Sequence, residues 1–330
     1  MITNLQFWDG YGSKAAYEKQ LACVSGNLLK SIDILVPNFA GPLQADGSFG
    51  CVFTDPEIPK YLVALGQRSG AKVVPMVLGS GKTAGDMLRD PLKRSIFKES
   101  CLKLIRDTGA DGILVDLEAL SSDTGSGLTA LMKALYAQLS AEGKLTLVSV
   151  MSRTSDTAEP WCVQYNYPEL AKYVDYIQIM SYDLHYATSS PGPIAPLDWV
   201  SRVMAYAVTR IPCEKILMGM PYYGRAWRQD GTRWASKALG LTVAIQTASR
   251  YHGKVTRKTV PSDPLGIPFF FYTDEHGFQW TVYFDDCQSW KAKLSLIDTF
   301  GLGGAGCWSL AWLDQESARK LNPLLQELFC

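Results

Sequence analysis

Eight short apolar runs recur along the chain, most separated by stretches with helical periodicity, and this alternation constrains the fold more than any other feature. The runs are Leu5–Trp8, Ile32–Pro37, Lys72–Leu78, Asp111–Glu118, Leu145–Val150, Asp175–Tyr182, Ile216–Met220 and Gly304–Leu310. Strands that alternate with helices build a parallel sheet, and eight such strands close a (β/α)8 TIM barrel. Helices are predicted over 13–31, Pro56–Ser69, about Leu128–Ala141 after a loop at Ser121–Gly127, Leu197–Arg210, Asp285–Phe300 and the last residues. Another starts at Asp90-Pro91, an N-cap followed by proline at the first helical position, and stops at Gly109. A doubly wound open sheet is the competing architecture, but no GxGxxG turn follows the first strand.

Residues 228–285 break the rhythm with Gly, Pro, aromatics and short strand-like runs at Pro268–Tyr272 and Gln279–Phe284. They read as a small α+β insertion after the seventh strand, on the side where barrels carry their active sites. The expectation is one catalytic barrel over 1–330 with the insertion subdomain at 228–285 inside it.

Lys+Arg and Asp+Glu balance at 32 each, which gives no support for a nucleic-acid partner. No apolar run is long enough to span a membrane. Met1-Ile2-Thr3-Asn4 lacks a basic and then apolar leader, so no signal peptide is expected. The eight cysteines have irregular spacing and read mostly as buried free thiols. Three histidines without ligand spacing argue against a metal site, and no cofactor motif is present; Gly79-Ser80-Gly81-Lys82 lacks the spacing of a P-loop. Nine Trp and sixteen Tyr suit sugar rings as well as a core.

The chemistry concentrates in Asp111-Gly112-Ile113-Leu114-Val115-Asp116-Leu117-Glu118. Alternate residues of a strand share a face, so Leu114, Asp116 and Glu118 point one way and Ile113, Val115 and Leu117 the other. Two carboxylates two positions apart raise the pKa of at least one of them, as general acid chemistry at neutral pH requires. A buried ion-pair network is the bland alternative. The other strand ends bring Trp8, Asn38, Ser152-Arg153, Tyr182-Asp183, Tyr222-Tyr223 with Arg225, and Trp308, each of whose aromatics could equally be barrel packing.

The signature Asp111–Glu118 resembles the DGxDxDxE motif of family 18 glycoside hydrolases, the chitinase family. Gln178-Ile179-Met180-Ser181-Tyr182-Asp183 is similar to that family's sixth-strand M-x-Y-D motif. Pro221-Tyr222-Tyr223-Gly224-Arg225-Ala226-Trp227 is similar to its seventh-strand motif, and Gly303–Leu310 to its eighth strand with a floor tryptophan. His185, Ser190–Pro193 and Tyr283–Asp286 look most like the bacterial spore cortex-fragment-lytic N-acetylglucosaminidases. The first strand matches poorly.

The resemblance implies a retaining glycosidase that cleaves β-1,4 linkages after N-acetylglucosamine in peptidoglycan fragments or chitin-like oligosaccharides. It implies Glu118 as general acid/base, Asp116 as orienter of the 2-acetamido group, and Tyr182 as a hydrogen-bond donor to that group. It implies Gln178, Met180, Asp183, Tyr222, Arg225 and Trp308 as substrate-binding residues. It also implies a GlcNAc-containing saccharide as partner, a monomer, and a place outside the cell or in the spore envelope. The family carries a carboxylate where this chain has Leu114; Leu beneath Asp116 should raise that residue's pKa by desolvation and move the acid limb of the pH profile with activity retained. A chitinase-like lectin and an endo-N-acetylglucosaminidase acting on N-glycans are the alternatives.

Overall fold

The computed structural model describes residues 3–24 and 26–329. Met1, Ile2 and Cys330 lie outside the described residues. The eight strand-like runs form a closed parallel barrel. Its strands are β1 (Thr3–Trp8), β2 (Ile34–Pro37), β3 (Lys72–Val73), β4 (Met76–Ser80), β5 (Gly112–Glu118), β6 (Leu145–Met151), β7 (Tyr176–Met180) and β8 (Ile216–Pro221). An antiparallel sheet follows: β9 (Tyr223–Asp230), β10 (Arg233–Gly240), β11 (Thr256–Val260), β12 (Asp263–Thr273) and β13 (Gln279–Tyr283). The last barrel strand is β14 (Gly304–Trp308).

The barrel order is β3-β2-β1-β14-β8-β7-β6-β5-β4. The third run is not one continuous strand as the sequence suggests. It divides at Val74-Pro75, because proline has no N–H for the ladder. Its first half pairs with β2 and its second with β5, and a bridge from Asn38 to Met76 closes the ring. A helix at Gly81–Arg89 fills a stretch to which the sequence pattern assigns no element, and the helix expected over 13–31 is two, Lys14–Ala22 and Gly26–Lys30.

Helix ends encoded by capping residues fall where expected. The Asp90 side chain accepts from the Leu92 and Lys93 backbone, and Gly109 ends that helix in the left-handed conformation. Helix Cys287–Phe300 begins with a reciprocal cap between Asp286 and Ser289. It also carries Lys293, buried in an ion pair with Asp285.

Alternation sorts the core into two layers. Leu5, Phe7, Ile34, Val36, Val74, Met76, Leu114, Leu147 and Leu217 fill the barrel interior. Ile113, Val115 and Leu117 face the surrounding helices. The antiparallel sheet has order β10-β9-β13-β12-β11. One face packs on helix Leu241–Arg250 through Ala226, Phe270 and Val282. The other carries Tyr223, Trp227, Ile267 and Tyr283 against Ile194, Trp308 and Trp312 at the barrel's mouth. The sheet thus starts at Tyr223, two residues beyond the end of β8, and its aromatic face meets the barrel's C-terminal end.

All seven described cysteines are unpaired. Only Cys101, Cys162 and Cys307 are buried, fewer than the sequence reading held. No helix among the described residues is long and apolar enough to cross a membrane.

Candidate active site

Asp116 and Glu118 lie at the C-terminal end of β5, opposite Leu78 and Ser80 of β4. Leu114, below them on the same face, sits in the dry interior cluster. Asp116 is 3% exposed and its Oδ1 has no hydrogen-bond partner. Burial pushes its carboxyl well above the usual carboxylate range, and Glu118 beside it adds to the shift. That is the direction expected with Leu114 underneath. Glu118 is half-buried. Burial, and then the charge of Asp183, raises its carboxyl too. The strand end is held from outside: the Tyr165 hydroxyl donates to the Leu117 carbonyl at 2.6 Å, and the Gln164 amide to the Leu120 carbonyl at 2.9 Å.

Two backbone outliers flank the pair. Ala119, directly after Glu118, has φ 48°, and Asp183 has φ 59°. Non-glycine residues in this left-handed region carry strain and recur at functional sites.

From β7, Gln178, Met180 and then Tyr182 point inward, as Ile177 and Ile179 face the helices. Burial pushes the Tyr182 phenol well above its ordinary value, with Asp116 and Glu118 adding to it and the Gln178 amide opposing. Both Gln178 amide atoms are buried without partners by distance and angle, so that Gln178 contact is close but not a well-formed hydrogen bond. Gln178 fills space left by two glycines, Gly219 on the adjacent β8 and Gly306 on β14 beyond it. A Cβ on Gly306 would stand 2.9 Å from its Cγ, and one on Gly219 2.9 Å from its Nε2 and 2.3 Å from the Ile179 carbonyl.

At the rim, the Tyr223 hydroxyl donates to Asp183 Oδ1 at 2.7 Å. The Arg225 guanidinium lies 6.0 Å from the Tyr223 ring and donates to Ser236 at 3.3 Å. Asp183 is exposed as a residue, yet crowding raises its carboxyl while Tyr223 and Arg225 pull it down. The Tyr182 and Tyr223 rings meet edge-on at 6.4 Å. Trp308 ends β14 with its ring 5.0 Å from Phe7, and its peptide bond to Ser309 is cis.

The structure therefore brings together Asp116, Glu118, Gln178, Met180, Tyr182, Asp183, Arg225 and Trp308. It sets Tyr222 apart. That side chain stacks on Trp290 at 4.5 Å outside the barrel wall, and its hydroxyl donates to Gln6 at 2.8 Å. Tyr223 stands in its place, and strand parity holds the signal: Met218 and Met220 face outward, so Tyr222 does too. Trp8 is likewise outside, fully buried, with its indole N–H on the Tyr17 carbonyl. Ser149, an inward hydroxyl on β6 between the outward Val148 and Val150, is a residue that sequence reasoning missed.

Residues 29–312 match the sequence profile of the family described as Glycosyl hydrolases family 18. The C-terminal domain of a candidate chitinase from Desulfitobacterium hafniense superposes with a TM-score of 0.96 at 37% identity, covering 100% of this chain and 99% of that one. A candidate sporulation-specific glycosylase of Bacillus subtilis, YdhD, is 30% identical over 250 residues, 72% of this chain and 58% of its own length. A cortical fragment-lytic enzyme of Bacillus anthracis is 26% identical over 227 residues, 68% of this chain and 52% of its own. The chain thus spans between half and two thirds of these curated relatives.

Proposed function

Since the chain belongs to glycosyl hydrolase family 18 and is a glycosidase of that family, we propose that it is a retaining enzyme cleaving β-1,4 bonds after N-acetylglucosamine by substrate-assisted catalysis. Its substrates are peptidoglycan fragments of the spore cortex or chitin-like oligosaccharides, and it works outside the cell or in the spore envelope. The observation that carries this reading is the inward Asp116/Glu118 pair at the barrel mouth, with the Tyr182 phenol within reach of both charges and an apolar layer beneath.

Glu118 gives its proton to the glycosidic oxygen as the bond to the anomeric carbon breaks. The 2-acetamido carbonyl oxygen attacks that carbon from the opposite face, an exception to the two-carboxylate scheme. Asp116 orients the acetamide N–H and stabilises the charge that develops on it. Tyr182 donates to the carbonyl oxygen. Trp308 underlies the sugar, and Asp183, Gln178, Met180 and Arg225 bind around it. Glu118, now ionised, takes a proton from water, which displaces the acetamide oxygen and restores the original configuration.

Electrostatics supply a test of the acid. Asp183 raises the Glu118 carboxyl, and the acid must hold its proton to act. Asp183→Asn removes the charge, so Glu118 ionises at lower pH and the basic limb of kcat/KM moves down. An unmoved basic limb contradicts the assignment. For the substrate, purified cortex muropeptides, chitin oligomers and an N-glycosylated protein are digested side by side and the products weighed. Cleavage after GlcNAc in the first two is expected. Release of glycan from the third alone would transfer the reading to endoglycosidases, and no product from any would overturn it.

A further inference from the structure

Three polar side chains at one level of the barrel interior carry atoms that nothing nearby satisfies. Asp116 Oδ1, Ser149 Oγ and both amide atoms of Gln178 are buried without a hydrogen-bond partner. The residues are 3%, 1% and 0% exposed. Ser149 is the register partner of Gln178, and Leu114 that of Leu147. Two residues further along the same strands, Asp116 comes opposite Ser149. Neighbouring strands lie about 4.8 Å apart, so the three stand side by side on the inward face. Buried polar groups are almost always paired, and this many unpaired atoms at one level mark a place where groups change partners. The level beneath holds Met76, Leu114 and Leu147 in register, all in the dry interior cluster.

We propose that Ser149, with the Gln178 amide, is a positioning residue for Asp116, forming the inner hydrogen-bonding seat that the carboxyl takes when it turns away from Glu118. The inference rests on the roles given above to Asp116 and Glu118. Turned outward, the carboxyl meets Glu118 and the sugar's acetamide. Turned inward, it meets Ser149 and Gln178. A hydroxyl donates to an ionised carboxylate or accepts from a protonated one, and an amide does both as well. Ser149 therefore serves either protonation state, where Leu114 serves neither. The groups facing Asp116 are Glu118 on its own strand, Leu78 on β4, Ser149 on β6, and Gln178 and Tyr182 from β7; the Tyr165 phenol behind the strand also feels its charge. The titratable ones are all acids, so hydrogen bonds rather than a cation hold the ionised form.

The test is the pH dependence of kcat and KM on 4-nitrophenyl diacetylchitobioside for the unaltered chain, Ser149→Ala and Ser149→Thr. Ser149→Ala takes a donor from ionised Asp116, which then binds its proton up to a higher pH. The acid limb is expected to rise by about one unit and kcat to fall about tenfold, with KM within about twofold, the scale of one hydrogen bond to a charged group. Ser149→Thr, which keeps the hydroxyl, is expected to return the limb to its place. Ser149→Cys, close in size with a weaker donor, must shift the limb the same way and stands in if the alanine variant does not fold. An acid limb that stays put in Ser149→Ala, with or without a uniform loss of rate, overturns the assignment, because a merely structural role would leave the limb alone. If the unaltered chain turns over no GlcNAc substrate, the proposed function falls and the Ser149 assignment with it. If it does turn over substrate and Ser149→Ala reproduces its profile, only the Ser149 assignment falls.

Discussion

Glu118→Gln is expected to lower kcat on a chitin oligomer about a thousandfold, equivalent to about 4 kcal/mol of lost transition-state stabilisation. The exchange keeps the shape of the side chain and removes its proton transfer. KM is expected to stay within about threefold, since positioning contacts from Trp308 and Tyr182 survive and uniform binding is untouched. The loss should be smaller for a 4-nitrophenyl glycoside, whose phenolate leaves without being protonated. That difference between aglycones separates loss of an acid from general damage to the cleft. Steady-state kinetics on both substrates measures it, and equal losses, or turnover close to the unaltered rate, would falsify the role given to Glu118.

Lys293→Ala is expected to lower the free energy of unfolding by about 3–5 kcal/mol, because it strands the Asp285 charge. The two side chains form an ion pair with only 1% and 5% of their surface exposed. The pair joins the helix Cys287–Phe300 to the chain as it leaves β13. Removing one partner of a buried pair is costly, whereas replacing both by apolar groups of similar volume is often neutral. The double variant Lys293→Met/Asp285→Leu should therefore recover most of the loss. Urea unfolding of the two variants and the unaltered chain measures this. A single variant as stable as the unaltered chain would show that the pair contributes nothing.

The barrel was legible because its determinants are local and repeated. Asp90-Pro91 and Gly109 mark their helix by capping chemistry that needs no tertiary context. Asp116 and Glu118 stood out because carboxylates on an apolar strand are costly unless used. The break at Val74-Pro75 was open to reading, as proline interrupts a ladder. The helix Gly81–Arg89 was not: Gly81, Thr83 and Gly85 have weak helical preference, and packing of Ala84, Met87 and Leu88 decides it. The resemblance implies Tyr222 as a substrate-binding residue, but both tyrosines end the strand and only the pleat's parity shows that Tyr223 is the one that meets Asp183. Ser149 was unreadable alone. A serine on an apolar strand acquires meaning only from the residues that register places next to it.

The room made for Gln178 by Gly219 and Gly306 governs how this site can vary among descendants of the chain. Any residue with a Cβ at 219 would press into the backbone of β7, so that position is closed to drift even though its missing side chain contacts no sugar. At 306 the obstacle is the flexible Gln178 stem, and alanine there becomes accessible once position 178 shortens. A saturation library selected for growth on chitin oligomers would therefore report two intolerant glycines packed behind Gln178, one of them released by a second substitution. Such a pair would be mistaken for contact residues by anyone reading tolerance alone, when what is inherited is an empty volume.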